Sequence, residues 1–148
     1  MHRGRRFAFL ALLLVVLAGC GKDKTVGPKP TQVVGVWHAT MVQFVSKSDP
    51  NQRVELISAG HVVTVEIGGD QAYTYIDTPS GGSPDTTTGV WKLDGDMFRV
   101  NPTGMPYEWA WDVSVSGGTL SLKNADMEYD VNDDGLREMA KQTMVLVH

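Results

Sequence analysis

The chain has 148 residues, 42% of them hydrophobic, with 13 basic and 17 acidic side chains and a formal net charge of −4. That is enough apolar chain for one buried core, and a single cysteine excludes an intramolecular disulfide as its staple. Three of the basic residues, Arg3, Arg5 and Arg6, fall within the first six positions, so the remainder is more acidic still, repels nucleic-acid phosphates and excludes a nucleic-acid partner.

The opening stretch reads as an address. Behind the three arginines, Phe7 to Ala18 is an unbroken run of twelve apolar residues, short of the ~20 needed to span hydrocarbon. Small residues, Ala18 and Gly19, then precede Cys20, in the order that a signal peptidase accommodates. Leu17-Ala18-Gly19-Cys20 resembles the lipobox of bacterial lipoproteins. The resemblance implies that residues 1–19 are a cleaved signal peptide and that Cys20 carries a diacylglycerol anchor with acyl chains of the palmitate kind. It also implies that Gly21, in place of an aspartate, sends the protein to the outer membrane of the cell envelope. Without the leader, 10 basic residues face 17 acidic ones. Residues 20–32 are polar and hold Pro28 and Pro30, which suits a flexible spacer. Residues 33–148 then form one domain.

That domain shows almost no helical periodicity and many short alternating runs between turn residues, the pattern of an all-β fold. Gly68-Gly69, Asp94-Gly95 and Gly117-Gly118 supply the backbone freedom that two-residue hairpins need. Their flanks predict strands at 61–67 and 71–77, 86–93 and 96–101, and 107–116 and 119–123. Runs at 34–45 and 137–147 bring the total to eight. Tight turns follow the second, fourth and sixth strands, and longer loops near 46–60, 78–85, 102–106 and 124–136 follow the others. In an up-and-down meander this places every tight turn at one end and every long loop at the other, so the fold predicted is an eight-stranded antiparallel barrel shaped as a cup.

Alternation assigns the interior. Tyr107, Trp109, Trp111, Val113 and Val115 share one face of their strand, and Glu108 and Asp112 the other. By the same rule Val63, Val65, Ile67, Tyr73, Tyr75, Gly89, Trp91, Leu93, Phe98, Val100, Leu120 and Leu122 point inward. Strand 34–45 is apolar on both faces, and its parity stays open.

Gly35-Val36-Trp37 recurs as Gly89-Val90-Trp91. A Gly-x-Trp on the first strand resembles the lipocalins, and with the mid-domain copy and acidic turn it is similar to bacterial lipocalin-like lipoproteins. The resemblance implies that Trp37 and Trp91 pack across the barrel base. The arginine that lipocalins stack on the first tryptophan has no counterpart between Met139 and His148.

Asp130-Val131-Asn132-Asp133-Asp134-Gly135 sets oxygen side chains at alternate positions ahead of a glycine, as calcium loops do. Asp130, Asn132, Asp134 and Glu138 are the calcium candidates, although position twelve is Lys141 in place of a bidentate glutamate. The other reading is an Asx-rich turn bonded to its own backbone. No other cofactor is called for.

No catalytic pattern stands out. His2, His38, His61 and His148 are dispersed, and no Gly-x-Ser-x-Gly or His-Glu-x-x-His occurs, so an enzyme is not expected. Two functions remain: a tethered protein that holds a small hydrophobic ligand against Tyr75, Tyr107 and Trp109 at the looped mouth, or an interaction module for another envelope protein with its barrel filled. Interior volume separates the two.

Overall fold

The computed structural model describes residues 27–148. The leader, Cys20 and the start of the spacer lie outside the described residues. One helical turn, α1 (Pro30–Val33), precedes nine strands: β1 (Gly35–Ser46), β2 (Arg53–Glu55), β3 (Val62–Ile67), β4 (Ala72–Thr78), β5 (Asp85–Asp94), β6 (Met97–Pro102), β7 (Trp109–Ser116), β8 (Thr119–Tyr129) and β9 (Glu138–Val147). β1 pairs antiparallel with β3, each strand from β3 to β8 pairs antiparallel with the next, and β9 returns to β1. The result is a closed eight-stranded up-and-down barrel, with β2 as an extra strand on the upper half of β1. The tight turns at 68–71, 95–96 and 117–118 share the base. The long connections at 47–61, 79–84, 103–108 and 130–137 share the mouth.

β1 faces both ways for a physical reason. Ala39 lies opposite Leu146 and Met41 opposite Val145, so Thr40 is an extra residue, a bulge that reverses side-chain parity. Before it Trp37 is buried; after it Val42, Phe44 and Ser46 are. β8 carries a second bulge between Leu122 and Ala125, with Asn124 at φ +68°. Beyond it the strand continues as Ala125, Met127 and Tyr129, well past the end predicted at 123.

Aromatic side chains fill the base. Trp37 is 1% exposed and its indole N–H donates to the Val33 carbonyl at 2.8 Å, which draws α1 under the barrel. Trp91 donates to the Gly68 carbonyl at 2.8 Å and stacks on Phe98, ring centroids 5.6 Å apart. Phe98 also meets Tyr73 and Trp111 at 6.2 and 6.1 Å. Such pairs add roughly 0.5–1.5 kcal/mol each beyond area burial. The sequence offered no arginine for Trp37, and His148 takes that place, stacked at 3.8 Å and 30°.

The two Gly-x-Trp glycines serve different ends. A Cβ on Gly35, at φ +150°, would fall 2.7 Å from His148 Cε1, so this glycine makes room for the ring that covers Trp37. A Cβ on Gly89 would fall 2.5 Å from the Asn101 carbonyl oxygen, so that glycine lets β5 and β6 approach. A side chain can swing aside where backbone cannot. Gly89→Ala is therefore expected to destabilise the fold by about 1–3 kcal/mol as an overpacked site, and Gly35→Ala to carry both the strain of a side chain at φ +150° and the displacement of His148. In urea melts, Gly35→Ala should also lose part of its cost once His148 is alanine. An unchanged stability in Gly89→Ala, or full additivity of Gly35→Ala with His148→Ala, would contradict this packing.

Glu55 ties β2 and the loop after it to β1. It accepts hydrogen bonds from the backbone N–H groups of Val42, Ile57 and Ser58, at 2.9, 3.1 and 2.7 Å, and from the Ser58 hydroxyl. Burial pushes its carboxyl up, but the Ser58 hydroxyl and the three backbone donors outweigh this and bring it from 4.5 down to about 2. A lowered folded-state value stabilises above the unfolded one, and that stability is lost as pH falls from about 4.5 through about 2. Across this window the protection factors of the amides in residues 53–58, corrected for intrinsic exchange, should fall in the parent and change less in Glu55→Gln. A flat profile in the parent would refute the assignment.

Candidate functional site

The barrel is filled at its base and hollow at its mouth. Between the long loops lies a cavity of about 410 Å³, within the ~300–1,000 Å³ of small-molecule sites. Tyr73 and Trp111 line its deep part, Tyr75, Trp109, Phe44 and Tyr129 line it nearer the loops, and Met127 and Gln142 complete the wall. Each position follows from strand direction. β4 runs from a base turn to a mouth loop, so Tyr73 lies deep and Tyr75 two residues higher; β7 runs the other way, so Trp109 lies above Trp111. Trp109 and Trp111 meet edge to face at 6.0 Å, and Phe44 stacks on Tyr129 at 3.8 Å.

Polar groups inside the cavity are unevenly satisfied. Trp111 donates to Gln142 Oε1 at 3.1 Å. The Tyr73 hydroxyl and the Trp109 indole N–H are buried with no hydrogen-bond partner among the described residues. Leaving such a group unpaired costs about 1–3 kcal/mol, and Tyr73 is only 1% exposed. Burial pushes the Tyr73 phenol up, and the Tyr75 phenol likewise, with Asp77 and Asp85 adding to the rise at Tyr75. Both remain protonated donors.

The entrance is acidic. Asp77, Asp85, Glu128, Asp130 and Asp133 line the cavity against one cation, Arg137. Asp77 lies directly across from Asp85 in the β4–β5 register. Its Oδ1 is 2.7 Å from His61 Nδ1.

The sequence-derived site residues divide as follows. Tyr75 and Trp109 line the cavity. Tyr107 does not, because β7 starts at Trp109 and not at 107; Tyr107 is 43% exposed. It lies on an outer groove with Met127 and Met139, where β7 and β8 stay unpaired until Asp112 meets Lys123. Trp37 and Trp91 stand at the base. Asp130, Asn132 and Asp134 gather in one turn whose side-chain oxygens accept the backbone N–H groups of Asp134, Gly135 and Leu136. Glu138 opens β9, with Oε1 buried and without a hydrogen-bond partner among the described residues. Among the described residues no group of three or more His, Cys, Asp or Glu is set to hold a metal ion.

No family model matches the chain, and no curated protein matches it. The barrel and its cavity are therefore read from the chain's own residues.

Tyr129, Phe44, Asp77 and Asp85 are cavity residues that the sequence reading did not single out. The period-two run Ala125, Met127, Tyr129 carried a signal for the first; the Thr40 bulge hid the second. A larger hollow of about 530 Å³ lies outside the base, between α1 and the β3–β4 turn. None of the buried unpaired polar groups lines it.

Removing a hydroxyl that lacks a partner forfeits no hydrogen bond. Tyr73→Phe is therefore expected to leave stability unchanged or raise it by up to about 1 kcal/mol, as read in urea melts. A loss of more than about 1 kcal/mol would mean that the hydroxyl is satisfied in the empty barrel.

Proposed function

We propose that this chain is a lipid-anchored, lipocalin-like binding protein that holds a small molecule with an apolar body in the mouth of its barrel without transforming it. The observation that carries the reading is the mouth cavity itself: it has aromatic walls at Tyr75 and Trp109, and two buried polar groups on its lining residues, Tyr73 Oη and Trp109 Nε1, find no partner among the described residues. Amphipathic aromatics with a few convergent polar groups are what ligand pockets use. A packed core would have paired or excluded those groups. Anchoring at Cys20 is supported by the lipobox, the short apolar leader and the polar spacer, and it would hold the mature domain at the outer membrane.

A second reading has its own support. Met105, Tyr107, Leu136 and Met139 are exposed and belong to the mouth loops or the strand ends beside them, as a docking face for another envelope protein would require.

One experiment separates the readings. In the full chain, a panel of small aromatic and aliphatic compounds should change tryptophan emission and raise the melting temperature. Trp109→Ala should weaken binding by about three- to tenfold, the loss of one aromatic contact. If no compound alters emission or melting, the cavity reading falls and the docking face replaces it. For the anchor, Cys20→Ala should abolish incorporation of labelled palmitate and release the protein from membranes. Unchanged labelling and fractionation would contradict lipidation.

A further inference from the structure

We infer that the mouth cavity selects a cation: an organic ammonium carried on a flat apolar body, its charge held at the acidic entrance and its body against Tyr75 and Trp109. This rests on the binding reading above and names the class of ligand.

Three observations carry it. Asp77 and Asp85 face each other directly across β4 and β5, where Cβ atoms stand about 4.5–5.5 Å apart and like charges destabilise the pair. The only salt bridge that reaches this pair among the described residues is His61 to Asp77, which leaves Asp85 with no cation of its own. Asp130 and Asp133 line the same entrance from the β8–β9 loop, and Arg137 is the one basic residue lining it. An entering ammonium removes the repulsion that the empty barrel sustains.

Deeper in, the walls suit the same ligand. Tyr75, Trp109 and Tyr129 present aromatic rings to the cavity, and ring faces attract cations within about 6 Å of their centroids. The unpaired Tyr73 hydroxyl, on a residue 99% buried by its 1% exposure, can still donate or accept. It gives the ligand a polar contact below the rings. The carboxylates act on the interior as well, since Asp77, Asp130 and Asp133 reinforce the burial that raises the Tyr129 phenol. A fatty-acid carboxylate would meet this field with the wrong sign.

The test compares phenylbutylamine, phenylbutanol and phenylbutyrate, which share one body and differ in charge, by calorimetry on the full chain in phosphatidylcholine nanodiscs, with empty nanodiscs subtracted. The amine should bind about tenfold or more tightly than the alcohol at low salt, with the acid weakest, and that margin should shrink in about 0.5 M salt, where charges are screened within a few ångströms. Asp85→Asn should bring the affinities of amine and alcohol close together. The salt series in the parent reads the same charge dependence should that variant fold poorly. Binding of the alcohol equal to or tighter than the amine overturns the cation inference and leaves the cavity reading standing. Binding of none of the three overturns both.

Discussion

Which side chains face inward depends on how β1 closes onto β9. The pairing runs from His38 to Ser46, and Thr40 inserts one unmatched residue into it. A one-residue slip exchanges the two faces of a strand, so without the bulge either Trp37 or Phe44 would point to solvent. The bulge lets one strand bury a tryptophan at the base and a phenylalanine at the mouth. The bulge on β8 does the same for Leu122 below it and Met127 above. Eight strands thus enclose two compartments with different linings.

The compartments differ in how fully their polar groups are satisfied. Of the four tryptophans, Trp37, Trp91 and Trp111 each donate to an acceptor, and Trp109 at the mouth has none among the described residues. The base is closed by α1, by stacked rings and by Gly35 and Gly89, which let neighbouring groups approach. It supplies the stability. The mouth keeps a hollow, two unsatisfied donors and a pair of facing carboxylates, each a cost that a packed core avoids. Such costs concentrate where a fold meets a ligand.

Much of the fold was legible because the strand period is two and the turns carry glycine. All eight predicted strands start within two residues of the observed starts, and the alternation of tight turns with long loops placed base and mouth correctly. The misses have local causes. β1 read as apolar on both faces because a bulge interrupts it, and β8 seemed to stop at Lys123 because Asn124 turns the backbone through positive φ before pairing resumes. Tyr107 shares the parity of Trp109, yet the strand begins after it, and parity says nothing outside a strand. The acidity of the entrance was invisible because Asp77 and Asp85 flank one connection, between β4 and β5, and Asp130 opens another, between β8 and β9. His148 was passed over as a stray histidine because its partner lies more than a hundred residues away.

Among the described residues Trp109 is the one indole on the mouth cavity whose N–H has no acceptor, since Trp111 donates to Gln142. Proton–nitrogen spectra of the full chain should show four indole N–H signals, one for each tryptophan. Titration with phenylbutylamine should move the Trp109 signal and leave those of Trp37 and Trp91 where they are, since both are held by carbonyls at the base. If all four signals stay fixed, or if Trp37 and Trp91 move while Trp109 does not, the mouth of this barrel is not its binding site.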